Sequence, residues 1–211
     1  MKIAIINGSP KGKYSITLQT SRFLEMKYPE HEFCVLNVGQ KIKALEKDFS
    51  EARELLSSSD ALIFSYPVYT FLAPSQLHRF IELTKADGID LSGKYATQIS
   101  TSKHFYDVTA HKYIEENSLD LGLRYIRGLS ADMEDLLTEV GKNDAIKFFD
   151  RFLWSVENGP ISRFTSPASL TACVHHFYFL CQASNLFTSF VMSSNTSCHI
   201  ISSYCVTTQT H

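Results

Sequence analysis

The chain has 211 residues, 44% hydrophobic and 20% charged, with a formal charge of -2. That length and apolar content accommodate one globular domain with a substantial core and an appendage. The charge balance, with no basic run interleaved with aromatics, argues against a nucleic-acid groove.

The first strand, about 2–6, enters the sequence directly. No charged n-region, long apolar h-region or small-residue cleavage site precedes it, so no signal peptide is expected and the cytoplasm is the expected location. The strand runs into Asn7-Gly8-Ser9-Pro10-Lys11-Gly12-Lys13-Tyr14-Ser15-Ile16-Thr17. Gly8 and Gly12 let the backbone approach an anion, Ser9, Ser15 and Thr17 supply hydroxyls, and Lys11 supplies charge. A helix over about 15–27 turns its orphan N–H groups toward this loop. The loop lacks both the spacing of a P-loop NTPase and a dinucleotide G-x-G-x-x-G, which leaves a monophosphate held by side chains and amides. The plain alternative is a Gly/Ser turn entering a capped helix.

A strand at about 32–38 and a helix at about 48–58 follow. A third strand, 60–66, leads into Ser65-Tyr66-Pro67-Val68-Tyr69-Thr70-Phe71-Leu72-Ala73-Pro74 and a helix at about 74–86. Pro74 suits a helix start. Tyr69 and Phe71 are placed either to flank a planar ring or to pack on the next helix. A fourth strand, 95–101, precedes Thr101-Ser102-Lys103-His104-Phe105-Tyr106-Asp107, a loop dense in hydroxyls. A helix at 107–120, a strand at 123–129 and a helix at 141–156 complete the series.

Alternation of short, β-branched strands with helices predicts an α/β fold: three layers, with a doubly wound parallel five-stranded sheet. The flavodoxin-like order 2-1-3-4-5 fits, and it puts a ligand beyond the strands' C-terminal ends, at the loops after strands one, three and four.

Beyond Arg163 no Lys, Arg, Asp or Glu occurs, and Cys173, Cys181, Cys198 and Cys205 all lie in that stretch. Two regions are therefore expected: a domain over 1–158, and an atypical tail over 159–211 that is disordered, frame-shifted or recently acquired. Leu170 to Met192 is uncharged, but His175, His176, Gln182, Ser184 and Asn185 make it a poor membrane span. The late cysteine spacings match no zinc or ferredoxin pattern, so no metal is expected.

The segments NGSPKGKYSIT at 7–17, SYPVYTFLAPSQLHRFIE at 65–82 and ISTSKHFYD at 99–107 resemble the NAD(P)H-dependent FMN reductase and flavodoxin-like oxidoreductase family, in the branch that includes iron–sulfur flavoproteins. The resemblance spans roughly residues 1–155 and lacks that branch's cysteine cluster. It implies that Ser9, Lys11, Ser15 and Thr17, with the Ile16 amide, hold the FMN phosphate. It further implies that Pro67, Val68, Tyr69, Thr70 and Phe71 border the isoalloxazine, with Thr101, Ser102 and His104 near its other edge. Lys11 stands where the family commonly has Arg, which loses the bidentate fork. The implied activity takes a hydride from NAD(P)H at flavin N5 and passes electrons to a quinone, a nitro or azo compound, or an iron–sulfur protein. No acid–base dyad is needed, and Tyr69 and His104 are the residues expected to shape the ring's surroundings. A flavodoxin-type single-electron carrier is the alternative. A homodimer is expected, with Leu77 and Phe80 either at its interface or in the subunit's own core.

Overall fold

The computed structural model describes residues 1–102 and 107–159. The tail and its four cysteines lie outside them. Six strands, β1 (Lys2–Asn7), β2 (Glu32–Leu36), β3 (Ala61–Pro67), β4 (Tyr95–Ser102), β5 (Arg124–Tyr125) and β6 (Leu129–Asp132), form one sheet. The helices are α1 (Ile16–Lys27), α2 (Val38–Leu45), α3 (Ser50–Ser58), α4 (Ser75–Asp87), α5 (Val108–Asp120) and α6 (Glu139–Asn158). The strand order is β2-β1-β3-β4-β5, all pairs are parallel, and β6 also pairs with β4.

Strand residues of period two divide the core between the sheet's faces. Ala4, Ile6, Leu62, Phe64 and Tyr66 pack with Val38, Leu56, Leu77, Phe80 and Ile114 of α2 to α5. Ile3, Ala61 and Ile63 pack with Leu24 of α1 and Phe148, Phe149 and Phe152 of α6. This is the doubly wound arrangement expected from the alternation of elements.

Two features differ from expectation. Val38 belongs to α2, not to a strand over 32–38, because the chain turns at Asn37 into a helix that the sequence reading passes over. The expected strand at 123–129 is two short strands that share the fifth position. Ile126 still donates its N–H to the Ala96 carbonyl (2.8 Å), but Gly128 lies so close to β4 that a Cβ there would sit 2.2 Å from the Gln98 carbonyl oxygen. Pairing breaks at that approach and resumes with Leu129 opposite Ile99.

Leu77 and Phe80 are buried in the subunit's own core, at 0% and 1% exposure, which removes them from any interface. Among the described residues no helix is long and apolar enough to cross a membrane.

Candidate functional site

β1 ends at Asn7, which has no exposed surface. Its Nδ2 donates to the Gly12 carbonyl (3.0 Å) and to Asn37 Oδ1 (2.8 Å), and its Oδ1 accepts from the Ser9 N–H (3.2 Å). One amide therefore holds the loop to itself and to the start of α2. The Ser9 carbonyl accepts from the Gly12 N–H (3.0 Å) and the Ser9 hydroxyl oxygen accepts from the Lys11 N–H (3.3 Å). Gly12 takes a φ of 53° as the chain enters a single 3-10 turn, Gly12–Tyr14. Ser15 then caps α1, its Oγ accepting from the Leu18 N–H (3.5 Å).

The Ser9 and Ser15 hydroxyl oxygens thus act as acceptors within the loop, which leaves each O–H proton for another acceptor. Lys11 is exposed beside them. Residues 7–17 contain no carboxylate, and α1 has no acid in its first turn. Hydroxyl donors, a helix start and an ammonium, with no carboxylate in the loop itself, are the donor set that a phosphate monoester requires. The loop fits the phosphate end of FMN on these grounds.

The second loop leaves β3 at Pro67. The Gly8 N–H donates to the Ser65 carbonyl (2.9 Å), tying the first loop to β3. The Val68 N–H donates to the Thr101 carbonyl (3.0 Å), tying the second loop to β4. Tyr69 and Leu72 exchange main-chain bonds of 2.9 and 3.1 Å around Thr70 and Phe71, whose φ values are 48° and 72°. Positive φ at non-glycine residues costs on the order of 1–2 kcal/mol each. Pro67 and Val68 are half-buried, whereas Tyr69, Thr70 and Phe71 are exposed. The N–H groups of Val68, Tyr69 and Leu72 are paired inside the protein.

Thr101, near the end of β4, links the first two loops to that strand. Its hydroxyl meets that of Thr17 at 2.6 Å while its carbonyl takes the Val68 amide. Thr17 and Thr101 are buried, as is Ser102. Ser9, Ser15, Ile16, Thr17, Val68 and Thr101 are thereby brought to one end of the sheet. His104 lies outside the described residues.

Beneath this end runs a polar network that the sequence reading does not single out. Tyr66 donates to Gln98 Oε1 (2.5 Å), and Gln98 Nε2 donates to the His111 carbonyl (3.2 Å) and to the Tyr125 hydroxyl. Ser100 Oγ lies 2.7 Å from His111 Nε2, and Ser130 donates to Asp107 Oδ2. The trio Ser100, His111 and Asp107 is not a hydrolytic triad. Asp107 Oδ2 approaches the same nitrogen as Ser100, at 3.8 Å, and Ser100 has no exposed surface. Burial lowers the His111 pKa, Asp107 opposes the shift and Arg127 reinforces it. Burial pushes the Tyr125 phenol up to about 12 and raises Tyr66 well above its ordinary range. The readable signal was Gln98, an amide within an otherwise well-buried central strand. Among the described residues no cluster of His, Cys, Asp and Glu has metal-binding geometry.

Solved structures share this fold. An NADH:FMN oxidoreductase (EMOB) in its apo form is 20% identical, with a TM-score of 0.60 over 79% of this chain and 97% of its own. An FMN-dependent NADH-azoreductase from Bacillus anthracis, in complex with FMN, is 16% identical, with a TM-score of 0.54 over 72% of this chain and 97% of its own. A Fusobacterium nucleatum flavodoxin bound to flavin mononucleotide is also 16% identical, with a TM-score of 0.52 over 71% of this chain and 97% of its own. At these identities the likeness establishes the flavodoxin-like fold alone. No curated protein matches the chain. The sequence model of the NADPH-dependent FMN reductases matches residues 1–122, more than half of the chain, and covers the first two loops and β4. The protein is thus an FMN-dependent oxidoreductase belonging to the NADPH-dependent FMN reductase family.

Proposed function

We propose that the first two loops and the end of β4, joined at Thr101, form the FMN seat of a reductase that takes electrons from NADH or NADPH and passes them to a small organic acceptor, a quinone or a nitro or azo compound. The observation that carries this reading is the all-donor phosphate loop held against β4 by the Thr17–Thr101 hydroxyl contact. In this reading the Ser9 and Ser15 hydroxyls, the N–H groups of Ile16 and Thr17 and the Lys11 ammonium hold the phosphate. Pro67, Val68 and Tyr69 border the ring on one side, and Thr101 and Ser102 lie at its other edge. FMN, when bound, supplies hydride acceptance and electron relay. The chain's own residues bind and orient it, and the buried network under Ser100 fixes the end of β4 against α5 and β6.

An iron–sulfur protein remains the alternative acceptor. The same reading includes a cytoplasmic homodimer, formed through surfaces other than Leu77 and Phe80, and a flavin-binding domain over 1–158. It is tested by adding FMN to the purified protein and following flavin absorbance anaerobically with NADH and NADPH. Bleaching supports the reductase, and binding without bleaching points to a flavodoxin-type carrier.

A further inference from the structure

The turn at Asn37, which the sequence reading passes over, brings a residue of α2 onto the phosphate loop. Asn37 Oδ1 accepts from Asn7 Nδ2 (2.8 Å), and its carbonyl accepts from the N–H groups of Gln40 (3.2 Å) and Lys41 (3.0 Å). The first turn of α2 is therefore anchored to the residue that holds the loop. From that turn the Gln40 side chain reaches Gly12: a Cβ at Gly12 would sit 2.2, 2.3 and 2.6 Å from Gln40 Oε1, Cδ and Nε2. The carboxamide thus occupies the space that a side chain at position 12 would need. Gly12 is buried, although Lys11 and Lys13 on either side of it are exposed. Its carbonyl accepts from Asn7 Nδ2 (3.0 Å) and from the Ser15 N–H (3.0 Å), so Gln40 bears on the stretch that leads to the cap of α1.

This amide has donors to spare. Gln40 is exposed, and among the described residues its carboxamide has no hydrogen-bond partner in the protein. Its NH2 end carries two donors, and rotation of the terminal amide presents either end to the loop. No acid lies within Val38–Leu45. Glu46, just beyond, is engaged by Arg79 (2.7 Å), and Glu51 by Lys41 (2.6 Å). Since residues 7–17 also lack a carboxylate, neither the loop nor α2 supplies an anion for these donors.

We infer that Gln40 is a further phosphate-binding residue of the FMN site, its carboxamide seated on Gly12 and its Nε2 donating to the phosphate. The inference rests on the function proposed above and extends the phosphate site from the first loop to α2. It makes Gln40 a determinant of specificity for the phosphorylated flavin, because riboflavin has nothing for this amide to bind. Gln40 takes no part in electron transfer.

The test uses the full chain without flavin, as wild type, Gln40→Met and Gln40→Glu. Dissociation constants for FMN and for riboflavin are measured by flavin fluorescence, and Tm is recorded for each protein. Met keeps the length of the side chain against Gly12 and removes the donors. Glu keeps the shape, removes the NH2 group and adds a charge that repels the phosphate. Gln40→Met is expected to lower the preference for FMN over riboflavin about tenfold, the scale of one hydrogen bond to a charged group. Gln40→Glu is expected to lower it further, with both Tm values within about 2 °C of wild type. A wild-type preference in Gln40→Met means that the side chain only braces Gly12, and this overturns the inference alone. Equal losses of FMN and riboflavin affinity in both variants overturn it as well. Wild-type protein that binds FMN no more tightly than riboflavin overturns the phosphate loop of the proposed function, and the inference falls with it.

Discussion

Asn7 makes three hydrogen bonds from a position without exposed surface, to the Gly12 carbonyl, to Asn37 Oδ1 and from the Ser9 N–H. Replacing it by Asp keeps the shape and the acceptor for Ser9, but turns an oxygen toward two oxygens and puts negative charge under the phosphate loop. Asn7→Asp is therefore expected to cost about 2–3 kcal/mol in chemical denaturation and to weaken FMN binding at least about tenfold by fluorescence titration. An unchanged FMN affinity would mean that the loop does not hold the phosphate. Ser15 both caps α1 and offers its hydroxyl proton to the loop. Ser15→Ala should lose about 1 kcal/mol of stability and weaken FMN binding, whereas Ser15→Thr should retain the cap. His111 carries a pH signature. Its half-buried imidazole has a pKa below the ordinary value of about 6.5, chiefly through desolvation. Between the folded value and about 6.5 the unfolded chain binds more protons, so stability rises with pH in that window and falls on acidification through it. Burial also lowers the pKa of His78, which adds to the slope with the same sign. Melting curves from pH 7.5 down to 5.5 should show falling Tm, and His111→Gln should flatten the fall without abolishing it.

α2 is the element that shapes the phosphate loop from below. A Cβ at Gly39 would lie 2.1 Å from the Ser9 carbonyl oxygen, so the helix reaches the loop only through a glycine. Gly39→Ala should push the loop away, weakening FMN binding about tenfold or more while circular dichroism shows the helices retained; unaltered binding would separate α2 from the site. The sequence conceals this element because Glu32–Leu36 runs on into Val38 with continuous apolar character, and only Asn37 marks the turn. The split fifth strand is hidden for a related reason: Gly128's approach to Gln98 is a tertiary contact with no periodic signature. The other helices and strands were legible because their apolar spacing matches the faces they bury. α4, for instance, turns Leu77, Phe80, Ile81 and Thr84 inward at intervals of one helical turn.

At the scale of the whole molecule, element alternation suits the strand order but does not fix it; the observed order, with its switch between β1 and β3, brings the first two expected loops and the end of β4 to one end of the sheet. The loops' hydroxyls, lysine and aromatics were legible as candidate ligand groups. Asn7, Gln98 and His111 were not, because buried polar partners are chosen by neighbours far apart in sequence. Thr101 was read as a ligand residue, and its structural part, joining Thr17 and Val68, needed the fold. The described sheet and helices end at Asn158, so a chain ending at Gly159 is expected to fold and bind FMN as the full chain does; loss of binding in that shorter chain would assign the tail a part in the site. Anaerobic absorption spectra of the FMN-reconstituted full chain, before and after NADH or NADPH, decide whether this chain is a flavin reductase. Flavin bands are expected to shift on binding, bleach within the mixing time of a pyridine nucleotide and return on adding a quinone. Bands identical to those of free FMN, with no protein-dependent bleaching, would mean that the chain neither binds FMN nor reduces it.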